Sequence, residues 1–252
     1  MADEALVLCY HALSLTWPAP LSTTPARFRR QMALLSSRGY RGATFTEAVT
    51  TPPQGRVVAV TFDDAYRSVS QLARPILDHF GLPATVFAPT DFVDAEEPLR
   101  WPGVDHWLAG PHERELLPLS WAELRALIDT GWEVGSHTGS HPRLTQLQDA
   151  ALEDELSRSK VACERCLDAR CTSIAYPYGD LDARVLKATA GAGYRAGAAL
   201  TSGGSGPHET LAWPRTGIYH VDNELRFRLK ISPAIRRLWG AVRSPSNAVA
   251  RG

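Results

Sequence analysis

Short apolar runs alternate along this chain with segments whose apolar residues recur every three or four positions. Val57-Val58-Ala59-Val60-Thr61-Phe62 is continuous and β-branched, as a strand covered on both faces should be. Ala84 to Ala88 has the same character, and the apolar run Ala5 to Tyr10 predicts a first strand ending at Tyr10. Trp132 to Gly135, Ser173 to Tyr176 and Thr216 to Tyr219 are shorter strand candidates.

Helical patterns fall between them. Thr24 before Pro25 is a start signal, Phe28, Met32 and Leu35 form one face, and Gly39 marks the end. Ser120 and Glu123 form a capping box, because each side chain can satisfy an end amide at the other's position. That helix buries Leu124, Leu127 and Ile128 and stops at Gly131. Leu152, Leu156 and Leu167 mark another, and Val185 with Leu186 a further one. Pro75 predicts a kink or a late start in the segment from Val69 to Phe80. Strand and helix in alternation predict an α/β fold with a parallel sheet and outer helices. In such folds the site collects at the C-terminal strand ends.

Residues 91–118 break the rhythm and read as a long loop near the site mouth, where Trp101 could stack on a sugar or simply staple the loop. Ser202 to Pro207 reads as a flexible loop. The tail after Ile231 carries Arg236, Arg237, Trp239 and Arg243, either a solvated terminus or a basic turn resting on a membrane surface.

At 252 residues the chain can bury one large core, and 44% apolar with 21% charged residues is ordinary for a globular protein. Its 27 basic residues balance 27 acidic ones, which argues against a nucleic-acid-binding face. No transmembrane segment is evident. The start lacks the basic residues and long apolar stretch of a secretory signal, so a cytoplasmic location is expected. Cys9, Cys163, Cys166 and Cys171 read as reduced thiols, with an accessory metal or redox site at the last three as the alternative.

The candidate chemistry lies in Thr61-Phe62-Asp63-Asp64 and His137-Thr138-Gly139-Ser140-His141. Two carboxylates and two imidazoles make the donor set of a catalytic divalent metal with one carboxylate to spare. One of two adjacent acids at a strand end can bind a metal while the other points toward water.

These motifs, with Ala175 to Gly179 (AYPYG), Tyr10-His11 and Trp213 to Tyr219 (WPRTGIY), stand in the order of the polysaccharide deacetylases, the NodB-homology or carbohydrate esterase 4 family, which the chain resembles from about Leu6 to Ile231. The resemblance implies a single-domain distorted (β/α)7 barrel over residues 1–231, with 232–252 as a tail. It implies metal-dependent removal of an N-acetyl group from a sugar, oligosaccharide or polysaccharide. Asp64, His137 and His141 would bind the metal, Asp63 would be the general base, and the Tyr178 backbone amide would help hold the oxyanion. Tyr176, Pro177, Trp213 and Trp101 are candidate substrate contacts.

Two departures from the family pattern matter. Ala175 stands where an arginine usually orients the base. Arg215 would reach in from the next strand end instead, so that Arg215→Met should cost much more activity than stability. The usual C-terminal acid motif is absent, and His11 would supply the general acid. Zinc is the expected ion, with cobalt and nickel suited to the same donors. An O-acetyl esterase, a non-sugar amide hydrolase, a non-catalytic glycan-binding relative and a zinc-stabilised interaction module are the competing readings. The oligomeric state is left open.

Overall fold

A computed structural model describes residues 5–200 and 210–236 of the chain. Its strands are β1 (Leu6–Tyr10), β2 (Ala12–Leu13), β3 (Ser22–Thr23), β4 (Arg41–Gly42), β5 (Val57–Phe62), β6 (Ala84–Ala88), β7 (Glu133–Ser136), β8 (Ser173–Ala175), β9 (Ala196–Ala199), β10 (Trp213–Pro214) and β11 (Thr216–Gly217). The helices are α1 (Pro25–Ser37), α2 (Phe45–Thr50), α3 (Arg74–Phe80), α4 (Trp121–Ile128), α5 (Asp149–Leu167), α6 (Ala183–Gly191) and α7 (Glu224–Lys230).

The main sheet runs β10-β9-β8-β7-β6-β5-β1-β11, all parallel, with β4 a side pair on β5. Its two edge strands are separated in sequence by Arg215 alone. Arg215 N donates to Ala199 O on one edge, and Ile218 N donates to Cys9 O on the other. The segment 213–218 therefore brings the sheet round into a nearly closed barrel in which β10 and β11 together make the seventh stave. This is the distorted (β/α)7 architecture that the resemblance implies.

Strand alternation divides the core in two. Leu6, Leu8 and Tyr10 of β1 join Val58, Val60 and Phe62 of β5 in the layer between sheet and helices. Val7 of β1 and Val57 and Ala59 of β5 turn inward with Ala175, Ala196 and Ala198. Helix α2 plugs the N-terminal end. Phe45 packs edge-on against Phe87 at 5.5 Å, and Glu133 accepts from Thr46 and Ser173. The C-terminal end is left for the site.

The local signals for α1 and α4 act as read. Thr24 Oγ1 caps α1, the Ser120–Glu123 box caps α4, and Ile128 is only partly buried. Pro75 delays α3, which begins at Arg74 after a wider π-helical turn at Val69–Ala73. The sequence signal misses β9, because alanine and glycine carry little strand propensity. There the barrel interior demands small residues: a side chain on Gly197 would collide with the Leu211 carbonyl. All four cysteines are free, and Cys163, Cys166 and Cys171 do not form a metal-competent group among the described residues. No described helix is long and apolar enough to cross a membrane. The loop 202–207 and tail residues 237–252 lie outside the described residues.

Candidate active site

Alternation along β5 points Ala59, Thr61 and then Asp63 into the barrel, and the same step along β1 points Cys9 and His11 inward. Asp63 N donates to Tyr10 O at 3.0 Å, continuing the β1–β5 ladder past the strand end. The chain then turns sharply, with Asp64 (φ 68°) and Ala65 (φ 51°) in the left-handed region. That break in alternation lets two consecutive carboxylates serve one site. Thr138 (φ 69°), His141 (φ 61°) and Tyr178 (φ 60°) are left-handed as well. Such backbone costs about 1–2 kcal/mol per residue and concentrates at functional sites.

Asp64 Oδ1 lies 3.3 Å from both His137 Nε2 and His141 Nε2. Donors about 2.0–2.1 Å from a tetrahedral ion stand at about this spacing from one another. Asp64 Oδ1 is buried without a hydrogen-bond partner, so it is an orphan that a cation would satisfy. His137 Nδ1 contacts Ala175 O at 2.8 Å; a carbonyl only accepts, so the proton sits on Nδ1 and Nε2 is left to ligate. Burial would raise the Asp64 carboxyl, but His137 and His141 hold it well below the usual range. Burial pushes His141 down, toward the neutral form that a ligand needs. These three residues fit a divalent metal.

The His137–His141 turn is clamped from outside by Glu155 of α5, which is 8% exposed. Its Oε2 accepts from Gly139 N at 2.8 Å and Ser140 N at 2.9 Å, and its Oε1 accepts from Ser140 Oγ at 2.7 Å. Arg158 pairs with Glu155 and Asp91, while Thr90 N and Asp91 N donate to Thr138 O and Gly139 O. The sequence reading missed Glu155, since a glutamate on an amphipathic helix carries no distinguishing signal.

Asp63 is gripped by Arg215, with Nη1–Oδ1 at 2.6 Å and Nη2–Oδ2 at 2.7 Å. Burial would raise the Asp63 carboxyl, but the guanidinium outweighs it and holds the group at about 2. Both side chains are almost wholly buried, so removing Arg215 would strand a charge and cost stability as well as activity. Cys9 Sγ also donates to Asp63 Oδ2, at 3.4 Å. The sequence reading had only a reduced thiol there; the two-residue step from Cys9 to His11 was the available signal. Donor atoms of Cys9, His11 and Asp63 lie within 4.8 Å of one another, but the Arg215 charge on Asp63 opposes a second cation. His11 Nδ1 is buried without a partner.

A cavity of about 370 Å³ adjoins these groups, lined by His11, both aspartates, both histidines, Trp101 and Tyr178 among others. The segment 91–118 lies at its mouth and contains two 3₁₀ turns. Trp101 stacks on His141 at 4.0 Å with 20° between the rings, so one indole face is already covered. Three candidate substrate contacts fall elsewhere. Tyr176 is fully buried, donates to Leu211 O at 2.7 Å, and burial pushes its hydroxyl up to about 12. Pro177 is buried, and Trp213 packs against the barrel-interior cluster. None of the three lines the cavity: alternation turns Tyr176 to the outer layer, and Trp213 packs with the inward-facing cluster.

A family model described as polysaccharide deacetylase matches residues 50–197. The Bacillus subtilis protein YxkH is 26% identical over 202 residues, which is 78% of this chain and 64% of that protein. The poly-β-1,6-N-acetyl-D-glucosamine N-deacetylase of Staphylococcus aureus is 25% identical over 213 residues, covering 79% of this chain and 66% of that one. The chain thus spans just under two thirds of the length of these relatives. The Streptococcus pyogenes deacetylase PplD, solved in complex with acetate, superposes with a TM-score of 0.75 over 92% of this chain and 100% of its own, at 21% identity, a likeness of fold.

Proposed function

Because the chain belongs to the polysaccharide deacetylase family, whose model matches more than half its length, we propose that it is a metal-dependent hydrolase that removes the N-acetyl group of an acetamido sugar. The observation that carries this reading is an ionised aspartate, Asp63, locked by Arg215 beside the three-donor set of Asp64, His137 and His141. A structural metal site has no use for that fourth, separately held carboxylate.

A divalent ion on those donors, zinc by the carboxylate and imidazole chemistry, would polarise the amide carbonyl and acidify a water molecule. Asp63 takes the proton of the attacking water. Its basicity is low because Arg215 stabilises the charged form, and this suits a proton made acidic beforehand. Arg215 also fixes the carboxylate plane, so that no rotation is needed when the water attacks. Tyr178, left-handed at φ 60°, would offer its backbone amide to the developing oxyanion, which a preorganised donor stabilises. His11, with an unpartnered ring nitrogen close to Asp63, delivers a proton to the departing amine. Trp101 braces His141 and forms one cavity wall.

The test is acetate release from N-acetylglucosamine and its oligomers by metal-stripped protein, with and without added zinc or cobalt, beside an Asp63→Asn control. Metal-dependent release that disappears in the control is expected. Release from O-acetyl esters alone would replace the amide reading with an esterase on the same residues.

A further inference from the structure

We propose that Cys163 and Cys171 are a paired redox site: on exposure to a small-molecule disulfide they join in a cross-link that staples α5 to the segment entering β8. The sequence groups Cys163, Cys166 and Cys171 in C-x2-C-x4-C spacing, and the deacetylase reading uses none of them. The fold separates the three. Cys163 and Cys171 are buried, whereas Cys166 is exposed. The Cys163 and Cys171 side chains are in hydrogen-bond contact, and that contact, with burial, pushes the Cys163 thiol up. Cys171 Sγ also donates to Ser173 O at 3.7 Å. Both cysteines line one cavity of about 170 Å³. The exposed Arg170 lines it too, so the cavity reaches the surface and a small reagent can approach the pair. Cys166 lines neither this cavity nor the core.

The backbone around the pair is held in place. Lys160, Cys163, Glu164 and Leu167 stand at helical spacing on one face of α5. Lys160 Nζ donates to Cys171 O at 2.8 Å, and Glu164 Oε1 accepts from Cys171 N at 3.3 Å. Lys160 and Glu164 also pair with each other. The Cys171 backbone is thereby pinned against the part of α5 that carries Cys163. Arg125 donates to Leu167 O, and the chain reverses at Asp168 (φ 45°). A disulfide demands a close approach that few cysteine pairs meet without backbone movement; here the thiols already touch. α5 and β8 both support the histidine turn, through Glu155 and through the Ala175 carbonyl that contacts His137. The cross-link ties those two elements together and touches no residue of the site.

The exchange is balanced. One cysteine thiolate attacks the S–S bond of the reagent, forming a mixed disulfide and expelling one thiolate. The other cysteine thiolate attacks the mixed disulfide, closing the Cys163–Cys171 bond and expelling the second. The two cysteines are oxidised and the reagent is reduced to two thiols, which take up the two protons that the cysteines lose.

The experiment equilibrates zinc-loaded protein, wild type and Cys166→Ser, with hydroxyethyl disulfide at mildly alkaline pH. After the reagent is removed, intact mass, peptide linkage and melting temperature are read. A mass loss of about 2 Da and a peptide pair joined through Cys163 and Cys171 are expected in both proteins. The melting temperature should rise by about 5–10 °C, because closing even a short loop constrains the unfolded chain. Dithiothreitol should reverse all three changes, and Cys163→Ser or Cys171→Ser should abolish the rise. Acetate release by the cross-linked protein should stay within about twofold of the reduced form; the mass and melting readouts stand whether or not the deacetylase reading does. Thiols that alkylate only after unfolding and never cross-link, a reagent left as a mixed disulfide on one cysteine, or a link to Cys166 would each overturn the pairing. A cross-link that lowers the melting temperature would overturn the staple.

Discussion

Arg215 and Asp63, 152 positions apart, meet as a bidentate pair inside the barrel, at the point where the two edges of the sheet come together. Closing the fold and orienting the Asp63 carboxylate are therefore one event. Thr61 Oγ1 takes a further bond from Arg215 Nη1 at 3.0 Å, tying the guanidinium to β5 below the carboxylate.

Arg215→Met should lower kcat/KM by at least about a hundredfold, within the range a positioned base contributes. It should also destabilise the fold by about 3–5 kcal/mol, because Asp63 is left charged and buried. Adding Asp63→Asn should restore most of the stability and none of the activity. Urea unfolding of the single and double variants checks this; a single variant within about 1 kcal/mol of wild type would contradict the buried pair.

The pair also sets an acid dependence. The folded Asp63 carboxyl, at about 2, lies below the ordinary value of about 3.9. The unfolded chain therefore binds its proton first as pH falls, and Asp63's contribution is full above about pH 4 and lost toward pH 2. Asp63→Asn should cost stability at neutral pH and progressively less as the pH falls through that window. A stability difference constant from pH 6 to pH 2 would count against it.

Glu155→Ala should weaken zinc or cobalt affinity by about 10–100-fold, the usual effect of removing a group that holds ligands in place. Glu155→Gln should fall between, since its amide oxygen still accepts from the Gly139 and Ser140 N–H groups. Competition against a chromophoric chelator measures this directly. Unchanged affinity accompanied by lost stability would make Glu155 a packing residue only.

His11→Gln should remove or displace the alkaline limb of the pH–rate profile while metal affinity stays put, because His11 lies outside the Asp64–His137–His141 set. A wild-type profile from the variant would end its nomination as the general acid.

Stripping the metal should abolish acetate release and leave far-UV circular dichroism intact. The outer core, with Leu6, Leu8, Phe28 and Leu156 fully buried, owes nothing to the ion. Melting should rise again as zinc is added, since an ion that binds only the folded chain stabilises it by mass action. Collapse of the fold on chelation would favour a zinc-stabilised interaction module instead.

Much of the scaffold was legible because its signals are local. The β-branched run Val57–Phe62, the Thr24 cap and the Ser120–Glu123 box each act through neighbours a few residues away. β9 was not legible, because Ala196-Gly197-Ala198-Ala199 is a strand only through partners on both sides and a crowded interior. The directions of Tyr176 and Pro177 were not legible for a related reason. Adjacency to a motif in sequence does not fix direction in space, and the surrounding packing decides it. Glu155 had no local signature at all, and Cys9 had only its two-residue step from His11.

The sequence by itself determined the chemistry available: two carboxylates and two imidazoles, delivered at the ends of parallel strands. Alternation along a strand is a property of each residue's own backbone, so the inward step of Asp63 followed from β5 alone. Which cation faces Asp63, which helix clamps the histidine turn and which aromatics wall the cavity were decided only by the tertiary structure. Those contacts join residues far apart in the chain, and barrel closure, a property of all seven staves together, sets their distances.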